Sequence, residues 1–549
     1  MSAEAINNFL QNDLLAQASI TSQAGSKAKP DPDLKVRTAL DRAASRIAGK
    51  FGSQPEVEAD IRNTIGQAYS DLGLYPQALE ELKRAVVLQS RVLGAENPKT
   101  LKTMGRIGYT TFLQGKFAEA ETLLSLALDK RRRVLGPEHP DTLSSMNQLA
   151  VVYQAQGRYP QAEKLHSQAL EIRRRVSGPE HADTVDCMGN LVTDYFSQGK
   201  YALAETLGRR ALDIKRRILG PEHPSTLASM NNLAIVYELR GNLPQAEALF
   251  TQILEIQRPM LGLEHPDTLG SMNNLATTLD AQGKLAKAEP LLMAVFNIRR
   301  RVLGPENPFT LRTMCNLAFN NYGRGKYPQA EALLSQAVEI QRRILGPENV
   351  DTLYATSGLA DVYSVEGKYG QAQVVYGQIL KIQRHVLGRE HPHTLGTLSD
   401  IASMYQRRGN YGLAETYAAQ ALAGRRHALG AQHPDTMAVE VDLALTFHSQ
   451  GKFTQSEPLA REAAELFRKN QPDDWQRFRA ESLLGASLAG QKKYAEAEPL
   501  LLAGYQGMLA RKDLIAVPDR YHLDHARQWL VQFYEAWGKP ESAAEWREE

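Results

Sequence analysis

The residues of this 549-residue protein that could do chemistry are 13 histidines, 62 carboxylates and two cysteines, and their spacing decides whether they do. His391 with His393, and His522 with His525, stand at intervals that two metal-bound imidazoles use. No cysteine or carboxylate cluster accompanies them in sequence, so no metal site is expected. Glu222 and His223 have the composition of an acid–base dyad, but the same pair recurs at a fixed interval in the same short segment, which marks a linker. Cys187 and Cys315 lie too far apart to specify a disulfide framework or a thiolate site, and the expected compartment is a reducing one, the cytoplasm. The repeated Gly-Lys dipeptides are never followed by Ser or Thr, so no P-loop is present. An aromatic-rich C-terminal end with His522, Asp524 and His525 is the one stretch left for an enzyme, and catalysis is not expected.

Amides form a more telling series. Asn190, Asn232, Asn274 and Asn316 follow one another at 42-residue intervals, with Gln148 one interval earlier and Gly358, Asp400 and Asp442 after them. Asparagine inside a helix costs roughly 0.5 kcal/mol against alanine, so four in phase call for a local reason. A carboxamide offers an acceptor oxygen and two donors, which suits gripping the backbone carbonyl and N–H groups of an extended segment without reading its sequence. It equally suits bonds to a neighbouring helix. Asn231 and Asn273, one residue earlier, belong to the same question, and Arg312 near Asn316 is the candidate for a partner's carboxylate.

The elements that carry these residues follow from an internal period, and the period fixes the architecture. A glycine recurs at Gly94, Gly136, Gly178 and on to Gly430, nine times at 42-residue steps, opening variants of LGPEHPDT as at Leu135 to Thr142. A second glycine runs in the same period from Gly73 to Gly451. After each LGPEHPDT, apolar residues fall at positions 1, 4, 7, 8 and 11, for example Leu227, Met230, Leu233, Ala234 and Tyr237, the spacing of an amphipathic helix, here called A. Methionine recurs at position 4, from Met104 to Met314, and is read as core. Stretches such as Tyr327 to Ile344 repeat the pattern as helix B. If the apolar face of helix A is buried, positions 2, 6, 9 and 13 form a flanking stripe, and the asparagines stand at position 6 of that stripe.

The helix ends carry matching chemistry. Pro76, Pro160, Pro244 and Pro328 stand where helix B begins, a place whose amide lacks an intrahelical partner. Runs such as Arg131 to Arg133 and Arg299 to Arg301 oppose the C-terminal dipole of helix B, before a glycine expected in the left-handed helical conformation. Before the loop proline stand His139, His223, His265, His391 and His433, replaced by Asn97 and Asn307, which fits an N-cap followed by proline at N1.

A helical hairpin that cannot bury its apolar face alone must stack on its neighbours, and the expected fold is all-α, a solenoid of tandem helix-turn-helix units. The expected divisions are residues 1–34, with a short helix at 4–18 and a linker at 21–34; residues 35–470, the array of about ten units; and residues 471–549, two irregular hairpins that cap it and hold all four tryptophans. The formal charge of +2, with 43% hydrophobic and 23% charged residues, lacks the cationic excess of a nucleic-acid binder. No window of 18 apolar residues and no signal-peptide pattern are present, so neither a membrane span nor a leader is expected. No cofactor is expected either.

With helix A ending in NLAxxYxxxG (Asn232 to Gly241) and helix B beginning [YF]xxAExLxxxAL (Phe117 to Leu128), the unit resembles the tetratricopeptide repeat. The 42-residue length and the LGPEHPDT linker are similar to the kinesin light chain-like branch, over roughly residues 51–470. The blocks at 30–47 and 61–78 also resemble the lead-in to arrays found downstream of bacterial serine/threonine kinase domains, although no HRD, DFG or glycine-rich loop is present. The resemblance implies a right-handed superhelix whose concave face, lined by A helices, binds an extended peptide or partner helix through the position-6 asparagines. A non-catalytic scaffold or adaptor for a protein partner is the expected function. The alternative is the sensor or regulatory array of a bacterial signalling system acting through a separate effector.

Overall fold

The computed structural model describes residues 36–47, 51 and 54–548; the helix expected at 4–18 and the linker expected at 21–34 lie outside the described residues. Among the described residues no strand occurs, and antiparallel A and B helices alternate along the sequence. Between Pro98 and Asn470 the A helices run 16 residues, as in Pro140–Ala155, and the B helices 18 or 19, as in Tyr159–Ser177. Contacts concentrate between helices adjacent in sequence, so the protein is an all-α solenoid.

The structure divides at Gly178 into two compact units. The first packs the helix Val36–Ile47 against the hairpin Pro55–Asp71 and Tyr75–Val92, through Leu40, Ile47, Ile61, Ile65 and Tyr69. Two further hairpins follow in it. The second runs from Pro179 and includes the hairpin Trp475–Gly490 with Tyr494–Leu509, then Tyr521–Ala536 with Pro540–Glu548. Its core takes the positions expected of helix A: Leu227, Met230, Leu233, Ala234 and Tyr237 are all buried. At position 4, Met146, Met188, Met230, Met272 and Met314 are buried as well, and Met104 is half-buried.

The linker is a small hydrogen-bonded device. His139 Nδ1 accepts the amide of Asp141 at 3.1 Å, and His223, His265, His391 and His433 do the same two residues on. Asn97 and Asn307 accept through Oδ1 at 3.0 and 2.9 Å. An accepting Nδ1 requires the proton on Nε2, so these imidazoles act as neutral caps. Thr142 then closes the loop by donating its hydroxyl to the Gly136 carbonyl at 2.8 Å, a bond repeated by Thr226 to Gly220 and Thr394 to Gly388. The glycine itself corrects the sequence expectation. Gly136 adopts φ 91° and ψ 162°, which is not the left-handed helical region but an extended region open essentially to glycine alone. That restriction explains why this position recurs without a substitute.

The arginine runs do more than oppose a dipole. Their first member turns inward: Arg131 and Arg299 are buried and reach carbonyls at the start of the following A helix, Asp141 at 2.8 Å and Phe309 at 3.3 Å. Their third member turns back to the linker glutamate of the preceding repeat, pairing Arg133 with Glu96, Arg175 with Glu138 and Arg301 with Glu264.

Within the second unit the superhelix closes on itself. The Tyr201 hydroxyl lies 3.4 Å from His433 Nε2, 232 residues later. The A/B turns at Gly241, Gly283 and Gly325 rest in the same way against Gln471, Leu514 and Val517.

Candidate partner-binding site

Position 5 of one A helix and position 6 of the next meet across 43 residues. Asn274 Nδ2 donates to Asn231 Oδ1 at 2.8 Å, and Asn316 Nδ2 donates to Asn273 Oδ1 at 2.9 Å. The helices Pro224–Leu239, Pro266–Ala281 and Pro308–Gly323 are thereby stapled in register by carboxamides, while each position-6 oxygen stays free of these bonds. Asn231 and Asn273 are therefore the partners of the position-6 residues rather than an independent series.

Asn232 differs. Its counterpart at position 5 of the preceding repeat is Gly189, which has no side chain to accept, and the Asn232 amide nitrogen lies 3.5 Å from where a Cβ on Gly189 would stand. Gln148 repeats the arrangement in the first unit: it lies opposite Gly105, and its Oε1 is buried without a hydrogen-bond partner. Asn190 is half-buried on the helix Ala182–Ser197. A buried or half-buried carboxamide with unspent donors and acceptors is costly unless something supplies the missing bonds.

The series stops at Gly358 for a steric reason. A Cβ there would lie 2.5 Å from the ring of Phe319, which packs across the position-6 slot and lies 5.1 Å from the Tyr354 ring, centroid to centroid. Arg312 is exposed and already meets a carboxylate of its own protein, Asp351, at 3.5 Å. An exposed pair of this kind contributes little and is readily exchanged for another carboxylate.

Asn231, Asn232 and Asn274 line one cleft of about 470 Å³ with Ala228, Gly270 and Phe309. Its floor is the A helices Pro224–Leu239 and Pro266–Ala281, and its outer wall comes from the ends of the B helices Leu243–Leu261 and Leu285–Val302. Gly270 has nothing within 4 Å of its Cβ position, so it keeps the cleft open. Arg299 stands at the wall, bonded to a carbonyl and a hydroxyl, and burial lowers its pKa to about 10. Phe309 is 54% exposed at the rim. The cleft thus offers apolar surface, an aromatic ring and four carboxamides, Gln257 being the fourth.

The residues first considered for chemistry are placed otherwise. His223 and His391 are spent as caps, and the His522 and His525 rings are 6.4 Å apart. Among the described residues no group of three or more His, Cys, Asp or Glu is arranged to hold a metal. Cys187 and Cys315 are both buried thiols, and burial pushes Cys315 up to about 12. No helix of the described residues is long and apolar enough to cross a membrane.

A profile of the tetratricopeptide repeat matches residues 57–129, 103–174, 145–217, 189–258, 267–343, 317–385, 351–426 and 393–469. Comparison with curated proteins returned no match. Among solved structures, the chain is similar to a Podosopora anserina protein described as a kinesin light chain with nearly identical TPR-like repeats. The identity is 32%, over 37% of this chain and 97% of that one, with a TM-score of 0.33. It is also similar to BtubC (BKLC) from P. vanneervenii, 20% identical over 42% of this chain and 92% of that one, with a TM-score of 0.35. A third is a Rap protein complexed with competence and sporulation factor, 14% identical over 68% of this chain and 99% of that one, with a TM-score of 0.42.

Proposed function

We propose that this chain, which belongs to the tetratricopeptide repeat family, works as a non-catalytic scaffold that seats an extended peptide or helix of a protein partner on its inner, A-helix face. The observation that carries the reading is the unspent Asn232 amide in the cleft at residues 224–309, beside Asn274, whose nitrogen is already committed to the neighbouring repeat. Two carboxamide oxygens outside the ladder bond, on Asn232 and Asn274, and two amide nitrogens, on Asn231 and Asn232, in a partly apolar trough match the alternating donors and acceptors of a peptide backbone. They favour backbone gripping over recognition of one charge.

The experiment is affinity capture with the intact protein beside a Gly270→Tyr variant. The new side chain has room at its Cβ and extends into the cleft. Loss of a protein retained by the parent, with helicity unchanged, supports the reading. Retention of the same protein by both moves the binding surface elsewhere.

A further inference from the structure

The stretch between the helices Tyr494–Leu509 and Tyr521–Ala536 does not take the short route between them. Residues 511–520 form two one-turn 3-10 helices, Lys512–Leu514 and Val517–Asp519, that cross to A/B turns 192 or more residues upstream. Asp513 and Leu514 press on Gly283 so closely that a Cβ there would lie 2.4 Å from the Leu514 Cα, and Val517 packs 3.1 Å from the Cβ position of Gly325. Arg407, at position 13 of its A helix and so on the same stripe as the asparagines, holds the other end. It donates to the Pro518 carbonyl at 3.0 Å, lies 3.6 Å from Asp519 Oδ1 and stacks 4.6 Å over the Tyr521 ring.

We infer that residues 511–520 are a detachable strap across the inner face at Gly283, Gly325 and Arg407, and that a partner occupying this stretch must displace it. The inference rests on the reading of the inner face as the binding surface. The strap fits the part because the stretch after Arg511 is lightly attached. Its first turn buries no residue, its second buries Pro518, and Ile515 is its single deep anchor in the C-terminal core. A segment of short 3-10 turns with one apolar anchor belongs at the low-stability end of a structure and opens without the flanking helices unfolding. Arg511 fastens the strap's start to the cap, donating to the Asp473 and Gly507 carbonyls at 2.9 and 3.2 Å and stacking 4.3 Å over the Phe478 ring, while Arg407 fastens its end to the wall it covers.

Two glycine variants of the intact protein separate displacement from general strain. Gly283 and Gly367 both have left-handed φ, 71° and 76°, so alanine strains the backbone comparably at either. A Cβ at Gly367 meets nothing within 4 Å, whereas at Gly283 it meets the strap. Hydrogen exchange of the intact protein is expected to rise at least tenfold at the Asp519 and Arg520 amides in Gly283→Ala and in Arg407→Ala. It is expected to be unchanged there in Gly367→Ala. Unchanged exchange in the first two, or an equal rise throughout the helices, overturns the strap. For access, a phage-displayed library of random twelve-residue peptides is panned on Gly283→Ala. Clones that protect the 322–326 turn are expected to bind the parent at least tenfold more weakly. Equal affinity for both proteins, or no clone that protects that turn, overturns the occlusion. These readouts do not use the cleft at 224–309, so its failure as a site and the failure of the strap are told apart.

Discussion

Asn274 donates its amide to Asn231 at 2.8 Å, one residue out of step with the 42-residue repeat, and that offset makes a row of like residues into a ladder. Each rung joins position 5 of one A helix to position 6 of the next. Where position 5 is glycine, the rung is missing and the carboxamide opposite it is left for another partner.

The ladder predicts opposite behaviour for two neighbours. Asn274→Ala strands the Asn231 oxygen on a half-buried surface and is expected to cost about 1–2 kcal/mol, seen as faster amide exchange in the two helices it joins. Asn232→Ala removes a side chain whose nitrogen has no rung to make and is expected to leave exchange there unchanged while weakening partner binding. Equal destabilisation by both would show that Asn232 is structural.

Gly358 tests the steric account of where the series ends. Gly358→Asn drives a Cβ to 2.5 Å from Phe319 and is expected to lower the melting temperature. Combined with Phe319→Thr, the residue type that Thr277 supplies at the same position one repeat earlier, the asparagine should be tolerated better than alone. Additive losses in the double variant would contradict the account.

Buried Arg299 makes its bonds to the Phe309 carbonyl and the Thr313 hydroxyl, at 3.3 and 2.7 Å, so its partners are neutral dipoles. Gln257 and Gln341 occupy the equivalent position in the adjacent repeats. Arg299→Gln is therefore expected to change stability by less than about 1 kcal/mol, whereas Arg299→Glu should cost several times that, because it places an unpaired anion against carbonyl oxygens. Thermal melts of the two variants check the order.

Burial holds His448, packed at 5.1 Å against Trp529, down at about 4, helped by nearby His525. Its unfolded pKa is near 6.5, so between those values the unfolded protein binds the extra proton. Stability at the C-terminal end is present above about pH 6.5 and lost as pH falls towards 4, by roughly 3 kcal/mol at most from this group. All four tryptophans lie between 475 and 546, so tryptophan fluorescence melts read this end alone. The melting temperature should drop over that window and drop less in His448→Phe.

Much of the fold is legible in the sequence, because a repeat states each local rule many times. The 42-residue period, the amphipathic spacing of Leu227 to Tyr237 and the His or Asn caps are short-range properties, and each appears in the structure where the pattern puts it. The conformation of Gly136 is not legible, since glycine at a helix end suits more than one positive-φ region. The pairing of positions 5 and 6 is open to reading from the 43-residue offset, yet sequence alone leaves the asparagines with two roles, and the structure pairs Asn274 with Asn231 and leaves Asn232 opposite Gly189. Contacts such as Tyr201 with His433 or Arg407 with Pro518 depend on how tightly the superhelix coils, which sums small rotations over several repeats and leaves no local signature.

The most direct test of the inner face as the binding surface is a photo-crosslinking pair. A benzophenone side chain replaces Gly270 in the cleft in one protein and exposed Thr251 on the neighbouring B helix in another, and each is illuminated in lysate. A discrete protein adduct at 270, absent at 251 and lost when Asn232→Ala is added, is the predicted result. Adducts at 251 alone, or the same adducts at both positions, would contradict a partner seated on the A helices.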